Sequence, residues 1–268
     1  MAKIRMIASD IDGTLLFEDE TALRPETCEL IARLIDAGIG FSTASGRQYK
    51  NLRKLFAPVK DQISYVTQNG CVTIHDGRMI DQRIMDSVLG RKILLEIAKH
   101  REYHAMATTA ECAYAEKDAL SFLKLLEDVV QIPYRTLDRL EEIEVPYSKI
   151  SMFEEEGLCD TEYWQELFGR QCTVVPSARQ WLDFFPSGVS KAWGLSRILE
   201  LTGISPEEVI VFGDNDNDLE LFDLAGCAVT VPSAKKEIQE RADAVTDLVE
   251  HAFAEILDGR RNTEDWKK

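Results

Sequence analysis

Four separated stretches of this chain carry side chains that can bind cations, move protons or act as nucleophiles. Asp10 and Asp12 flank Ile11 and lead into Gly13 and Thr14. Ser45, Gly46 and Arg47 form the second stretch, and Lys191 stands far downstream as the third. The fourth opens at Gly213 and runs through Asp214, Asn215, Asp216, Asn217 and Asp218. Two carboxylates two residues apart on a strand would face opposite ways, but a loop starting at Asp10 can turn both inward, and Gly13 eases that turn. Carboxylates gathered in one place repel, and they stay ionised together only with a cation between them. An all-oxygen donor set of this kind suits Mg2+, which keeps some waters and also accepts substrate oxygens. Screened in this way, Asp10 could attack the phosphorus of an anionic ester. Asp12 could protonate the departing alkoxide and later deprotonate the water that frees Asp10. The Ser45 hydroxyl, backbone N–H groups near Gly46, and Lys191 could hold the phosphoryl oxygens meanwhile.

Such groups act together only if the fold delivers them to one edge. The apolar pattern predicts a buried strand over 4–9 that ends at Asp10, then a helix opening at Pro25 and stopping at Gly38. A strand over 39–43 leads to Ser45, a helix follows, and a third strand spans 63–67. Segments 71–74 and 79–84 read as a hairpin about Asp76 and Gly77. The middle of the chain changes character. Strands are expected over 103–108, 112–116, 147–153, 172–175 and 181–185, with helices over 87–100 and near 118–128 and 158–168. From Val189 the alternation resumes, with a helix to about 201, strands over 209–212 and 228–231, a helix from about 218, and more helix beyond. The reading is an α/β fold, with a doubly wound, mainly parallel, Rossmann-like core built from 1–84 and 187–268. An α+β domain is inserted at 85–186, and the charged tail 260–268 is expected to fray. Each reactive stretch alone is an ordinary loop or helix start. Their shared placement, at the ends of core strands where open α/β sheets put their sites, makes them a set.

Bulk properties narrow the partners. A formal net charge of −16 opposes binding to a polyanion such as nucleic acid, which needs clustered Lys and Arg. An acidic protein that takes phosphate esters must therefore neutralise them locally. No apolar run approaches the roughly 18 residues of a membrane span. The first residues turn charged too soon for a signal peptide, and the six cysteines (28, 71, 112, 159, 172 and 227) sit singly. A reducing cytoplasm is the expected location, and the pattern fixes no oligomeric state.

At this point the sequence resembles the haloacid dehalogenase superfamily, specifically the Cof-type phosphatases whose large cap is inserted after the second motif. The matching residues are Asp10-Ile11-Asp12-Gly13-Thr14, Ala44-Ser45-Gly46-Arg47, Gln68-Asn69-Gly70, Gly188-Val189-Ser190-Lys191, and Gly213-Asp214 through Asn217-Asp218. The resemblance implies a Mg2+-dependent phosphatase acting on a small phosphorylated metabolite. It implies Asp10 as nucleophile and metal ligand, and Asp12 as acid/base that also binds metal through its backbone carbonyl. Asp214 would be a direct metal ligand. Ser45, Gly46, Lys191 and Asn217 would attend the phosphate, with Asp218 close behind. Asn69 is expected near the phosphate at the junction of core and cap. Departures are present: Ser45 stands where Thr is commoner, and Ala192 follows Lys191 in place of Gly. Pro232-Ser233-Ala234 replaces Gly-Asn-Ala, and 248–252 lacks an Asp-Gly-Val segment.

Rival readings are a phosphomutase-type transfer, as in the related phosphomannomutases, and a non-enzymatic phosphate sensor resembling a receiver domain. A receiver has no use for an acid/base at position 12, and neither has a dehalogenase. His100 and His104 stand four apart, but the helix should end between them, which removes them as a metal pair. Cys71, Cys172 and Cys227 read as core thiols, and Trp181, Phe184 and Phe185 as packing in the inserted domain. Arg47, Lys149 and Arg179 are further cations that could meet a polar leaving group.

Overall fold

The structure, a computed structural model, describes residues 3–17, 20–155, 157, 160–178, 180–259 and 266. Arg179, Cys159 and the tail 260–268 apart from Trp266 therefore lie outside the described residues. In chain order the first elements are β1 (Met6–Ser9), α1 (Pro25–Asp36), β2 (Gly40–Ala44), α2 (Tyr49–Leu55), β3 (Ser64–Thr67), β4 (Val72–His75) and β5 (Arg78–Gln82). The middle holds α3 (Ser87–Ile97), β6 (Tyr103–Thr108), β7 (Ala113–Glu116), α4 (Leu120–Leu125), β8 (Tyr134–Leu137), β9 (Lys149–Glu154), α5 (Thr161–Phe168), β10 (Cys172–Ala178) and β11 (Trp181–Pro186). The last part comprises α6 (Lys191–Thr202), β12 (Val209–Phe212), α7 (Leu219–Leu224), β13 (Cys227–Thr230), α8 (Lys236–Arg241), β14 (Ala244–Val245) and α9 (Val249–Leu257).

Two compact units result. The first gathers residues 1–47, 52–81 and 190–268, and the second 48–51 and 82–189. In the first unit one eight-stranded sheet runs β14-β13-β12-β1-β2-β3-β4-β5. Neighbours from β14 to β3 are parallel, and β4 turns back antiparallel to β3. The central strands β1 and β12 are buried along their whole length, as strands covered on both faces must be. Pro25 starts α1 as expected, and Asp76 and Gly77 both take positive φ (49° and 69°), the tight hairpin turn their types favour. On one side of the sheet the Phe253 ring of α9 meets Phe41 and Phe212 edge-on, at 5.9 and 5.6 Å between centroids. The atypical segment 248–252 has a structural use. Buried Glu250 accepts from Thr27 Oγ1 (2.5 Å) and from Arg24 (3.0 Å), pinning α9 to α1.

The second unit has a six-stranded sheet, β10-β11-β9-β6-β7-β8, antiparallel except for the β7–β8 pair. Ile150, Met152, Leu182 and Phe184 pack with Trp164 and Phe168 of α5 and Ile93 and Leu94 of α3. Met106 and Phe153 pack instead with Phe122 and Leu126. Edge strands β8 and β14 were not expected, and the helix near 118–128 is shorter than its apolar pattern. It loosens into a π-type turn at Leu126–Val130, and Gln131 then turns left-handed (φ 53°), two residues before Pro133. Lys149 is paired within its own sheet: its Nζ lies 2.7 Å from Asp183, which also accepts from Ser151, all three buried. His100 packs against Tyr103 and Trp164, whereas His104 lies on β6 and stacks on Phe122. Phe184 and Phe185 are buried, Trp181 touches Phe153, and Cys71, Cys172 and Cys227 are buried free thiols. Among the described residues no helix is long and apolar enough to cross a membrane.

Candidate active site

Strand order decides where the reactive stretches meet. The chain winds outward from β1 in both directions, to β2 on one side and β12 on the other, so a crevice opens at the carboxyl ends of β1 and β12. Register places Ser9 opposite Phe212, and the Asp10 N–H donates to the Phe212 carbonyl at 2.9 Å. Asp10 and Asp214 are therefore neighbours through backbone pairing alone. Beyond Asp10 the chain folds back on itself, with the N–H groups of Leu15 and Leu16 donating to the Ile11 carbonyl at 2.9 and 2.8 Å. Gly13 is required at the turn. Its φ is +85°, and a Cβ there would stand 2.2 Å from Asp214 Oδ2. Thr14 then reaches across, donating from Oγ1 to Asp214 Oδ1 at 2.6 Å.

The second stretch is fixed by its neighbour after β3. The Ser45 carbonyl accepts from Asn69 N–H and the Arg47 carbonyl from Gln68 N–H, both at 3.0 Å. Ser45 Oγ accepts from the Arg47 N–H at 3.2 Å, which tightens the turn around Gly46. Gln68, Asn69 and Gly70 are consecutive left-handed residues, with φ of 51°, 57° and 94°. A Cβ on Gly70 would lie 2.0 Å from the Ser190 carbonyl oxygen, so this loop abuts the start of α6. There Ser190 caps the helix by accepting from Trp193 N–H at 3.2 Å, and Lys191 is its first residue.

Lys191 is fully buried, and its Nζ bridges Asp10 Oδ1 at 3.0 Å and Asp218 Oδ1 at 2.8 Å. Burial alone would push the ammonium down, but the carboxylates of Asp10 and Asp218 more than offset it and raise it above its ordinary 10.5. The other oxygen of Asp218 accepts from the N–H groups of Asp214 (3.0 Å) and Asn215 (3.1 Å). Asp218, expected only as support behind the site, thus secures both the β12 loop and Lys191. The expected site residue Asn217 donates to Asn69 Oδ1 at 3.4 Å, and its own buried Oδ1 has no partner among the described residues.

Asp10, Asp214 and Asp218 offer oxygens that all lie within 4.8 Å of one another. Three acids face one ammonium. Burial raises the Asp10 carboxyl well above its ordinary 3.8; Lys191 opposes this without cancelling it, and Asp218 and Asp214 add smaller pushes upward. Burial likewise pushes Asp214 up to about 6, against the hydrogen bond from Thr14. An all-oxygen, anionic and partly buried donor set with an orphaned amide oxygen beside it fits a hard divalent cation. Asp12 is not in this group. Its exposed carboxylate takes a forked pair from Arg47, Nε to Oδ2 at 2.9 Å and Nη2 to Oδ1 at 2.5 Å. Neither this pairing nor the full role of Asp218 was foreseen, because side-chain direction in a loop leaves no mark in residue spacing.

The Asp214 carboxyl makes a testable signature. A group held near 6 in the fold and at its ordinary 3.8 in the unfolded chain stabilises the fold below pH 3.8. That contribution is lost as pH rises toward 6, and it amounts to roughly 3 kcal/mol. Urea unfolding of the metal-free protein is therefore expected to give lower stability at pH 7 than at pH 4 from this group, and Asp214→Asn to flatten that difference.

Comparison with known proteins agrees with this geometry. A family model described as haloacid dehalogenase-like hydrolase matches residues 7–256. The 5-amino-6-(5-phospho-D-ribitylamino)uracil phosphatase YbjI of Escherichia coli is 26% identical over 233 residues, covering 86% of each chain. The phosphatase YitU of Bacillus subtilis, which carries the same activity in its name, is 27% identical over 254 residues, or 90% of this chain and 93% of that one. A crystal structure from Eubacterium rectale superposes with a TM-score of 0.83 at 28% identity, covering 94% of this chain and 98% of that one.

Proposed function

The chain belongs to the haloacid dehalogenase-like hydrolases and is a phosphatase; from that premise we propose that it is Mg2+-dependent and cleaves a small phosphorylated metabolite through a phosphoaspartate at Asp10. The observation that carries this reading is the buried Asp10 carboxylate, 3.0 Å from the Lys191 ammonium and grouped with Asp214 and Asp218. Asp10 and Asp214, with the backbone carbonyl of Asp12, would hold the Mg2+, which offsets the negative charge that carboxylates and phosphate bring together.

In the first step an Asp10 carboxylate oxygen forms a bond to phosphorus while the bond from phosphorus to the ester oxygen breaks. Asp12 gives its proton to that departing oxygen, which leaves as the alcohol. In the second step Asp12 takes a proton from water, the water oxygen bonds to phosphorus, and the acyl phosphate bond to Asp10 breaks to release inorganic phosphate. The Ser45 hydroxyl, the Gly46 N–H and Lys191 hold the phosphoryl oxygens during both transfers, with Asn217 and Asn69 beside them. Thr14 and Asp218 keep Asp214 and Lys191 in place. Arg47 holds Asp12 at rest, and the first step begins when that pair opens. We assign leaving-group selection to the inserted unit, and the names of the two curated relatives point to a phosphorylated polyol or sugar derivative as the substrate class.

The test is phosphate release from p-nitrophenyl phosphate and a panel of phosphorylated metabolites. Turnover is expected with Mg2+ and is expected to vanish in EDTA, returning when Mg2+ is restored. Equal turnover in EDTA would overturn the metal requirement.

A further inference from the structure

The second unit carries an outward face that the chemistry above does not use. Helices α3 and α5 bury Ile93, Leu94 and Ile97 of the one and Trp164 and Phe168 of the other in a shared core. The Tyr163 hydroxyl, in the first turn of α5, donates to Glu96 in the last turn of α3 at 3.3 Å, so the two helices are neighbours. Helical periodicity turns their remaining positions to solvent. Four of the eleven exposed large apolar side chains among the described residues fall on these two short helices: Val88, Leu95, Tyr163 and Leu167. Val88 and Leu95 stand seven apart and Tyr163 and Leu167 four apart, so each pair forms one stripe.

The exposed charges beside those stripes sort by helix. Arg91 and Lys92 make the middle of α3 basic, and Glu162 and Glu166 make α5 acidic. None of these four has an ion-pair partner among the described residues, although nearby Lys99 pairs with Glu96 at 2.6 Å. A basic ridge beside an acidic one is complementary to itself after a half-turn. A two-fold axis running between and along the helices lays α3 of each copy on α5 of the other, and closed dimers are built on such self-matching patches. The apolar stripes then face each other, and both sets of unpaired charges find partners at once. The whole chain carries −16, so two copies repel over most of their surface, whereas here the four unpaired charges sum to zero.

We propose that the outward face of α3 and α5 is a self-association surface, on which a second copy of this chain docks with each α3 against the other copy's α5. The 11 residues of α3 span about 16 Å, and packed helices lie about 10 Å apart. The face therefore offers on the order of 300–400 Å2 per copy, about half of the roughly 800 Å2 in a standard interface. Its product is a reversible, concentration-dependent dimer of modest affinity. The surface is independent of the reaction at Asp10.

Sedimentation equilibrium of the full chain, from about 5 to about 500 µM, covers the range expected of so small an interface. The average mass should climb from that of one chain towards that of two, and high salt should weaken the association. Leu95→Glu places a charge in the apolar stripe. The double variant Arg91→Glu/Lys92→Glu makes both ridges acidic, and Glu162→Lys/Glu166→Lys makes both basic. Each of the three is expected to raise the dissociation constant at least about tenfold, since like charges or a buried charge then meet across the interface. Thermal melts should show all three folded, because the altered side chains are exposed. An equimolar mixture of the two double variants is the decisive sample. Each acidic ridge of one then meets a basic ridge of the other, and association should return to the wild-type level. A wild type that stays a single chain at the highest concentration would overturn the proposal. So would a dimer untouched by Leu95→Glu, or a mixture that fails to recover what its two components lost.

Discussion

Replacing Asp10 with asparagine is expected to lower kcat by at least about 10,000-fold, the scale on which removing a covalent nucleophile acts. The substitution keeps the shape of the side chain and the amide pairing of Asp10 N–H with the Phe212 carbonyl, which needs no side chain. It also removes a carboxyl that burial holds well above its ordinary 3.8, so the protein should fold at least as well as the parent near neutral pH. Activity is thus lost without loss of stability. Turnover of p-nitrophenyl phosphate, together with a thermal melt, separates the two. Trapping sharpens the test. Acid-quenched wild-type enzyme caught in turnover should carry one phosphoryl group on the peptide containing Asp10 by mass spectrometry, and Asp10→Asn should carry none. Retention of activity within tenfold would show that water attacks phosphorus directly and that Asp10 serves only to hold the cation.

The second large effect is expected at Lys191, and here stability and activity fall together. Its ammonium is the only cation within ion-pair distance of both Asp10 and Asp218 among the described residues. In Lys191→Met two buried carboxylates lose their partner, and breaking a buried pair on one side destabilises by about 3–5 kcal/mol. Asp218 keeps two backbone donors, so Asp10 bears more of the loss. Acidification should restore part of the stability, because protonated carboxyls no longer need the ammonium. The expected outcome is a urea midpoint well below that of the parent at pH 7.5, a smaller gap at pH 5, and a kcat reduced by about 100- to 1,000-fold through loss of a donor to the phosphoryl oxygens. A stability gap that did not shrink at low pH would show that Lys191 matters through packing instead of charge.

How much of this could be read from the sequence depends on what fixed each feature. β1 and β12 were legible as short apolar runs, and Asp10 and Asp214 followed from them, since parallel pairing in the centre of a doubly wound sheet leaves strand ends side by side. The hairpin at Asp76 and Gly77 was legible because few residues accept two consecutive positive φ values. Strand β14 is two residues long, and β8 pairs along one edge only, so neither carries an alternation strong enough to register. In the site, what escaped was direction. Spacing says that Asp12 and Arg47 are both near Asp10, but it does not say that they grip each other. Nor does it say that Asp218 turns back onto two amides of its own loop, a matter of local backbone angles in a 3-10 turn.

The close approach of Gly70 to the Ser190 carbonyl has a bearing on how such a protein can diversify. Between these two residues the chain runs through 82–189, the longer segment of the second unit, yet they leave no room for even one carbon atom. Lys191, the next residue, is therefore registered by a clasp that belongs to the first unit alone. A change of length within residues 82–189 would leave this contact, and the register it gives Lys191, in place. Ancestral selection could try new recognition modules on a finished chemical engine, and an engineer grafting one between Asp81 and Ser190 would inherit the same freedom.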